Sequence, residues 1–141
     1  MSRLPSAPPP SAKTATIQYR VPFYDTDAMR VVHHARYVHY LELARIEYLD
    51  LHDRPYREYV AEGLHYAVTA LDVRYQQAAR YDDRLQVTCW LAWLKRVSLG
   101  IGYVVKRGEE LIASATTEHA LVTDDGKLVA IPPARHACLA A

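Results

Sequence analysis

Hydrophobic side chains fall at about every second position of "TATIQYRVPF" (residues 14–23), with β-branched and aromatic residues among them. That alternation predicts a strand, and Pro22 marks its end or a sheet edge. The period then changes. Tyr37, Tyr40, Leu41, Ala44, Tyr48 and Leu51 recur at helical spacing on one stripe, while Arg36, Glu42, Arg45, Glu47 and Asp50 occupy much of the rest. One long helix is expected, stopped by Pro55 and ending between Leu51 and Arg54. "RPYREYVAEG" suggests another short helical turn closed by Gly63.

After Gly63 the pattern is that of strands. "LHYAVTALDVRYQQA" places Ala67, Thr69, Leu71, Val73 and Tyr75 on one face. "RLQVTCWLAWL" does the same for Leu85, Val87, Cys89, Leu91 and Trp93, with Trp90 on the opposite face. "SLGIGYVVKR" and "ELIASATTEHALV" are separated by a turn at "GEE", and "DDGK" (124–127) is a further turn before "LVAIPP". A strand, one long helix and then several long strands make an α+β order, with an antiparallel sheet packing one face onto the helix. The strands are apolar on both faces. One helix does not cover that much surface, so further burial in an oligomer is expected.

Composition sets the boundaries. Residues 1–13 are rich in Pro, Ser and Ala without periodicity and read as a flexible N-terminal tail, followed by a domain at 14–133 and a C-terminal tail at 134–141. The 17 Lys+Arg nearly balance the 16 Asp+Glu. That leaves no basic footprint for nucleic acid or an anionic membrane. Cys89 and Cys138 form neither a disulfide framework nor a zinc spacing, which suits a reducing compartment. No secretory apolar segment and no membrane-spanning run is present, so cytoplasmic location is expected by elimination.

Candidate chemistry concentrates in "FYDTDAMRVVHHARYVHYLELARIEYL" (residues 23–49). The "YDTD" spacing fits a turn whose side chains bond nearby backbone amides, close to the positive end of a helix dipole. It equally permits a carboxylate that faces the free N–H groups of the helix start, where a carbonyl would be polarised and attacked. Spacing alone leaves both open. His33, His34 and His39 match no metal-binding spacing. Cys89 sits mid-strand, where a thiol is inert, and neither Ser98 nor Ser114 lies in a nucleophile elbow.

"YDTDAMRVVHHARYVHYLELAR" resembles the signature of the hotdog-fold acyl-CoA thioesterases, in the branch that includes 4-hydroxybenzoyl-CoA thioesterase and the Tol-Pal-cluster thioesterases. "VSLGIGYVVKRGEELIASATTEHALVTDDGKLVAIPP" resembles that family's last strands, so the likeness runs from about Tyr19 to Pro133. It implies a long central helix wrapped by an antiparallel sheet, and an acyl-CoA substrate cleaved without metal or other cofactor. It implies Asp27 as the catalytic carboxylate, nucleophile or general base, with Asp25 holding the loop. His34 marks the helix start, where a backbone N–H points at the thioester oxygen, and His33 is its neighbour. It further implies a homodimer or homotetramer with the site at the subunit interface. Tyr37 is then a pocket candidate, and Tyr24 a substitute for the hydroxyl lost at Phe23. Lys95, Arg96 and Ser98 are candidates for the coenzyme, beside the strand-end cations Lys106 and Arg107. Two rivals stand beside this reading: a thioesterase acting on acyl-carrier protein, and an acyl-binding module without catalysis. Met29 and Arg30 depart from the pattern, since relatives often carry glycines there.

Overall fold

The computed structural model describes residues 4–141; the first three residues of the expected tail lie outside the described residues. The chain runs through strand β1 (Ala15–Arg20), helices α1 (Arg36–His52) and α2 (Tyr56–Ala61), strands β2 (Leu64–Tyr75), β3 (Arg84–Leu94), β4 (Ser98–Arg107) and β5 (Glu110–Thr123), and helix α3 (Pro133–Ala140). The strands form one antiparallel sheet in the order β1-β3-β4-β5-β2. Its inner face holds α1, which buries Tyr37, Tyr40, Leu41, Ala44, Tyr48 and Leu49. Leu51 alone of the expected stripe is exposed. The contact is close enough for the Cys89 thiol to lie 3.2 Å from the Ala44 carbonyl. Burial pushes that thiol up to about 12, which keeps it protonated and inert.

Two bulges alter the faces that strict alternation predicts. In β3 the register steps from Leu91↔Ile101 to Trp93↔Gly100, leaving Ala92 unpaired. One extra residue moves everything beyond it to the other face. Trp93 therefore joins Trp90 on the outer face instead of opposing it. In β2 the register steps from Val68↔His119 to Ala70↔Glu118, so Ala67 does not share a face with Leu71, Val73 and Tyr75.

The outer face explains two glycines. Trp90 lies flat over Gly102 and Trp93 over Gly100; a Cβ on Gly102 would sit 2.6 Å from the Trp90 ring. Gly102→Ala is expected to destabilise the fold by about 1–3 kcal/mol, since the ring has no free space to move into. A denaturant midpoint unchanged from wild type would show that Trp90 is not held there.

Residues 4–13 form no helix or strand, yet they do not project as a free tail. Leu4 and Pro5 line a groove of about 450 Å³ with Ala70, Asp72, Thr116 and Glu118. Ten residues on, Ala15 pairs with Cys89 near the far edge. The segment between them thus crosses the sheet over the row Trp90, Gly102, Thr116 and Asp72. The expected C-terminal tail also differs: residues 133–140 form α3, which buries Leu139. Its Arg135 bonds the buried Asp53 carboxylate at 2.8 Å, where the Tyr59 hydroxyl also donates.

Both edge strands, β1 and β2, keep one side unpaired. Helix α1 packs closest to β1 and β3, and inner-face Val68 and Leu71 of β2 stay exposed. Among the described residues, no helix is long and apolar enough to cross a membrane.

Candidate active site

The loop between β1 and α1 is a small closed hairpin. The Asp27 N–H donates to the Val31 carbonyl and the His33 N–H to the Asp25 carbonyl, each at 2.9 Å. Val32 is buried, and its N–H donates to the Ala79 carbonyl at 2.8 Å, which ties the loop to the segment after β2. The tip is tight. Arg30 N–H donates to Asp27 C=O at 2.9 Å, and Arg30 has φ 64°, in the left-handed region. An arginine thus holds a conformation that glycine adopts without strain, at a cost of about 1–2 kcal/mol.

The two aspartates have separate environments. Asp25 is buried, and its Oδ2 accepts the hydroxyls of Tyr19 at 2.7 Å and Tyr40 at 2.5 Å. Arg36 Nε lies 3.8 Å from its other oxygen. Burial first, then the bond to Asp25, pushes both tyrosines well above their ordinary range, so each remains a donor. Asp27 is half-buried. Its Oδ1 accepts the Met29 N–H at 2.9 Å, and its Oδ2 has no protein partner among the described residues. The turn geometry and the free carboxylate oxygen thus coexist in one residue.

A cleft of about 390 Å³ collects Asp27, Met29, Val32, His34, Tyr37 and Tyr75. Tyr37 is buried and meets the Tyr75 ring edge-on at 5.1 Å. Helix α1 has no side-chain cap. The His34 N–H has no partner among the described residues, whereas the next two N–H groups are taken: Ala35 donates to His33 Nδ1 at 3.1 Å and Arg36 to the His33 carbonyl at 2.9 Å.

Other expected residues lie elsewhere. Tyr24 is 75% exposed and outside the cleft. Lys95, Arg96 and Ser98 sit at the β3–β4 turn, at the opposite end of the sheet. The 11 residues of β3 separate them from the loop by about 30 Å at the rise of a strand. Lys95 Nζ lies 5.0 Å from the Trp93 ring centroid. Arg107 is engaged with Asp83 at 2.6 Å and Glu110 at 3.2 Å. Thr117, in "ATTEH", bridges Tyr103 and His119 inside the core. No group of three or more His, Cys, Asp or Glu among the described residues could hold a metal ion. Tyr19 and Tyr75 escaped the sequence reading as site supports. The strand pattern places Tyr75 only on a face, which gives no sign of its partner 41 residues away.

A long helix, α1, held on one face of a five-stranded antiparallel sheet defines a hotdog fold, and the Asp27 carboxylate shares a cleft with His34 just before that helix. The chain belongs to the thioesterase-like superfamily, whose family model matches residues 21–139. It is 36% identical over 113 residues to a putative esterase of Aquifex aeolicus, covering 80% of this chain and 88% of that one. It is also 36% identical over 116 residues to the acyl-CoA thioesterase YbgC of Haemophilus influenzae, covering 80% and 85%. A hypothetical protein from Thermus thermophilus superposes with a TM-score of 0.86 at 30% identity, over 89% of this chain and 97% of that one.

Proposed function

We propose that the protein hydrolyses the thioester of an acyl-CoA to a free acid and coenzyme A. One observation carries this: a carboxylate with a free oxygen (Asp27) and a helix-start residue with a free N–H (His34) line the same cleft. The thioester carbonyl lies with its oxygen toward the His34 N–H, whose dipole stabilises the negative charge of the tetrahedral intermediate. Asp27 either attacks the carbonyl carbon or takes a proton from a water that attacks it. In both routes the C–S bond breaks, the thiolate leaves and is protonated, and one water is consumed: directly at the acyl carbon on the general-base route, or in opening the Asp27–acyl anhydride on the covalent one. Nothing in these steps calls for a metal or prosthetic group. Steady-state assays that follow thiol release from aliphatic and aromatic acyl-CoAs test the reading. Turnover of at least one is expected. Tight binding of acyl-CoAs with no turnover of any would overturn it in favour of an acyl-binding module.

The working unit in this reading is a homodimer joined along β2. That edge is 12 residues long, unpaired, and flanked by exposed Val68 and Leu71. Antiparallel pairing of two β2 edges brings the partner's β3–β4 turn to the rim that holds Asp27. From the cleft, Lys95, Arg96 and Ser98 of that turn are then about three strand spacings away, or about 15 Å, within reach of a bound coenzyme's phosphates. Free Cys89 and Cys138 support a cytoplasmic location. Replacing both Lys95 and Arg96 with Ala should raise KM for acyl-CoA at least about tenfold, from the loss of charge-assisted contacts. KM for an N-acetylcysteamine thioester, which lacks the phosphates, should not change. An equal rise for both substrates would remove these residues from the coenzyme site.

A further inference from the structure

We infer that Tyr75 and His33 are positioning residues that clamp the peptide plane between His34 and Ala35. The inference rests on the thioesterase reading above, in which the His34 N–H polarises the substrate carbonyl. The Tyr75 hydroxyl donates to the His34 carbonyl at 2.9 Å. On the opposite edge of the same plane, the Ala35 N–H donates to His33 Nδ1 at 3.1 Å. A peptide unit is rigid and planar, so holding its C=O and its N–H together prevents it from turning about the chain. His33 is itself fixed. Its N–H donates to the Asp25 carbonyl and its carbonyl accepts the Arg36 N–H, each at 2.9 Å. Its ring stacks on that of His34 with centroids 4.2 Å apart.

The His34 N–H therefore lies between two immobilised units, one set by the loop and one by β2. The N-cap residue, Ala35, contributes no side-chain bond of its own to this entry. Acceptance at Nδ1 requires a neutral His33 with its proton on Nε2. Tyr75 is 48% exposed, so its hydrogen bond competes with water and contributes little to stability. Its weight falls on geometry.

The test compares kcat and KM for the best acyl-CoA substrate among wild type, Tyr75→Phe, His33→Ala, His33→Asn and the Tyr75→Phe/His33→Ala double variant, with Asp27→Asn as reference. Tyr75→Phe keeps the ring and should lower kcat about tenfold, less than outright loss of an oxyanion donor, with KM and melting temperature nearly unchanged. His33→Ala should behave alike, while His33→Asn, whose Oδ1 replaces Nδ1 as acceptor, should restore most of the rate. Both residues hold one plane, so the double variant should lose little more than either single one. Wild-type kcat in Tyr75→Phe and His33→Ala, with Asp27→Asn inactive, would overturn the clamp and leave the thioesterase reading standing. So would multiplicative losses in the double variant, or a raised KM at constant kcat. Full activity in Asp27→Asn would instead overturn the thioesterase reading.

Discussion

Asp27→Asn is expected to lower kcat by about 10²–10⁴-fold, the contribution of a positioned acid–base group, while the protein stays folded. The substitution isolates chemistry from structure because of how Asp27 is held. Its Oδ1 accepts the Met29 N–H at 2.9 Å, and an asparagine Oδ1 accepts the same bond. The turn from Asp27 to Arg30, with its backbone bond at 2.9 Å, therefore survives. What disappears is the free second oxygen, replaced by an amide nitrogen that neither attacks a carbonyl nor accepts a proton from water. Matched thermal unfolding curves for the two proteins, with rates differing by orders of magnitude, are the expected pair of results. Equal rates would rule out Asp27 on either route. A single turnover in ¹⁸O-water tests the covalent route further: label in the Asp27 carboxylate marks an anhydride opened by water at the Asp27 carbonyl.

The elements that were legible from sequence are those with a sustained period. The stripe from Tyr37 to Tyr48 became the buried face of α1, and each predicted strand is present. Single-residue events were not legible. An unpaired Ala92 moves Trp93 to the outer face, and only the partner strand's Gly100 and Gly102, which leave room for both indoles, hint at it. Residues 4–13 lack a period because they cross the strands instead of running along one, and a perpendicular segment meets no alternating surface. Helix α3 does carry a signal, since Pro133 stands at its first turn, a favoured helical position. In the site, local geometry was readable and distant support was not. "DTD" contains its own turn, but Tyr19, Tyr40 and Tyr75 come from elements whose meeting depends on the whole sheet.

Asp25 carries the second large effect, and it falls on the fold. Its Oδ2 is the acceptor for two tyrosine hydroxyls, at 2.7 Å from Tyr19 and 2.5 Å from Tyr40, and it is almost fully enclosed. Asp25→Ala leaves both donors without a partner and Arg36 without its nearest charge. Tyr40 is a buried group left unsatisfied, at about 1–3 kcal/mol, and Tyr19 is only half-buried, so the loss should be about 2–4 kcal/mol, read as a lower urea midpoint at unchanged slope. Tyr40→Phe removes one donor and keeps the carboxylate bonded to Tyr19, so it should cost far less. The same network gives the wild type an alkaline limit. The folded protein holds the Tyr19 and Tyr40 protons more tightly than the unfolded chain does. That share of stability is complete below the ordinary tyrosine value of about 10 and is lost as pH rises above it, because unfolded tyrosines ionise first. An Asp25→Ala midpoint within error of wild type at neutral pH would mean that the hydroxyls find other acceptors, and that the loop bearing Asp27 is held by its backbone bonds alone.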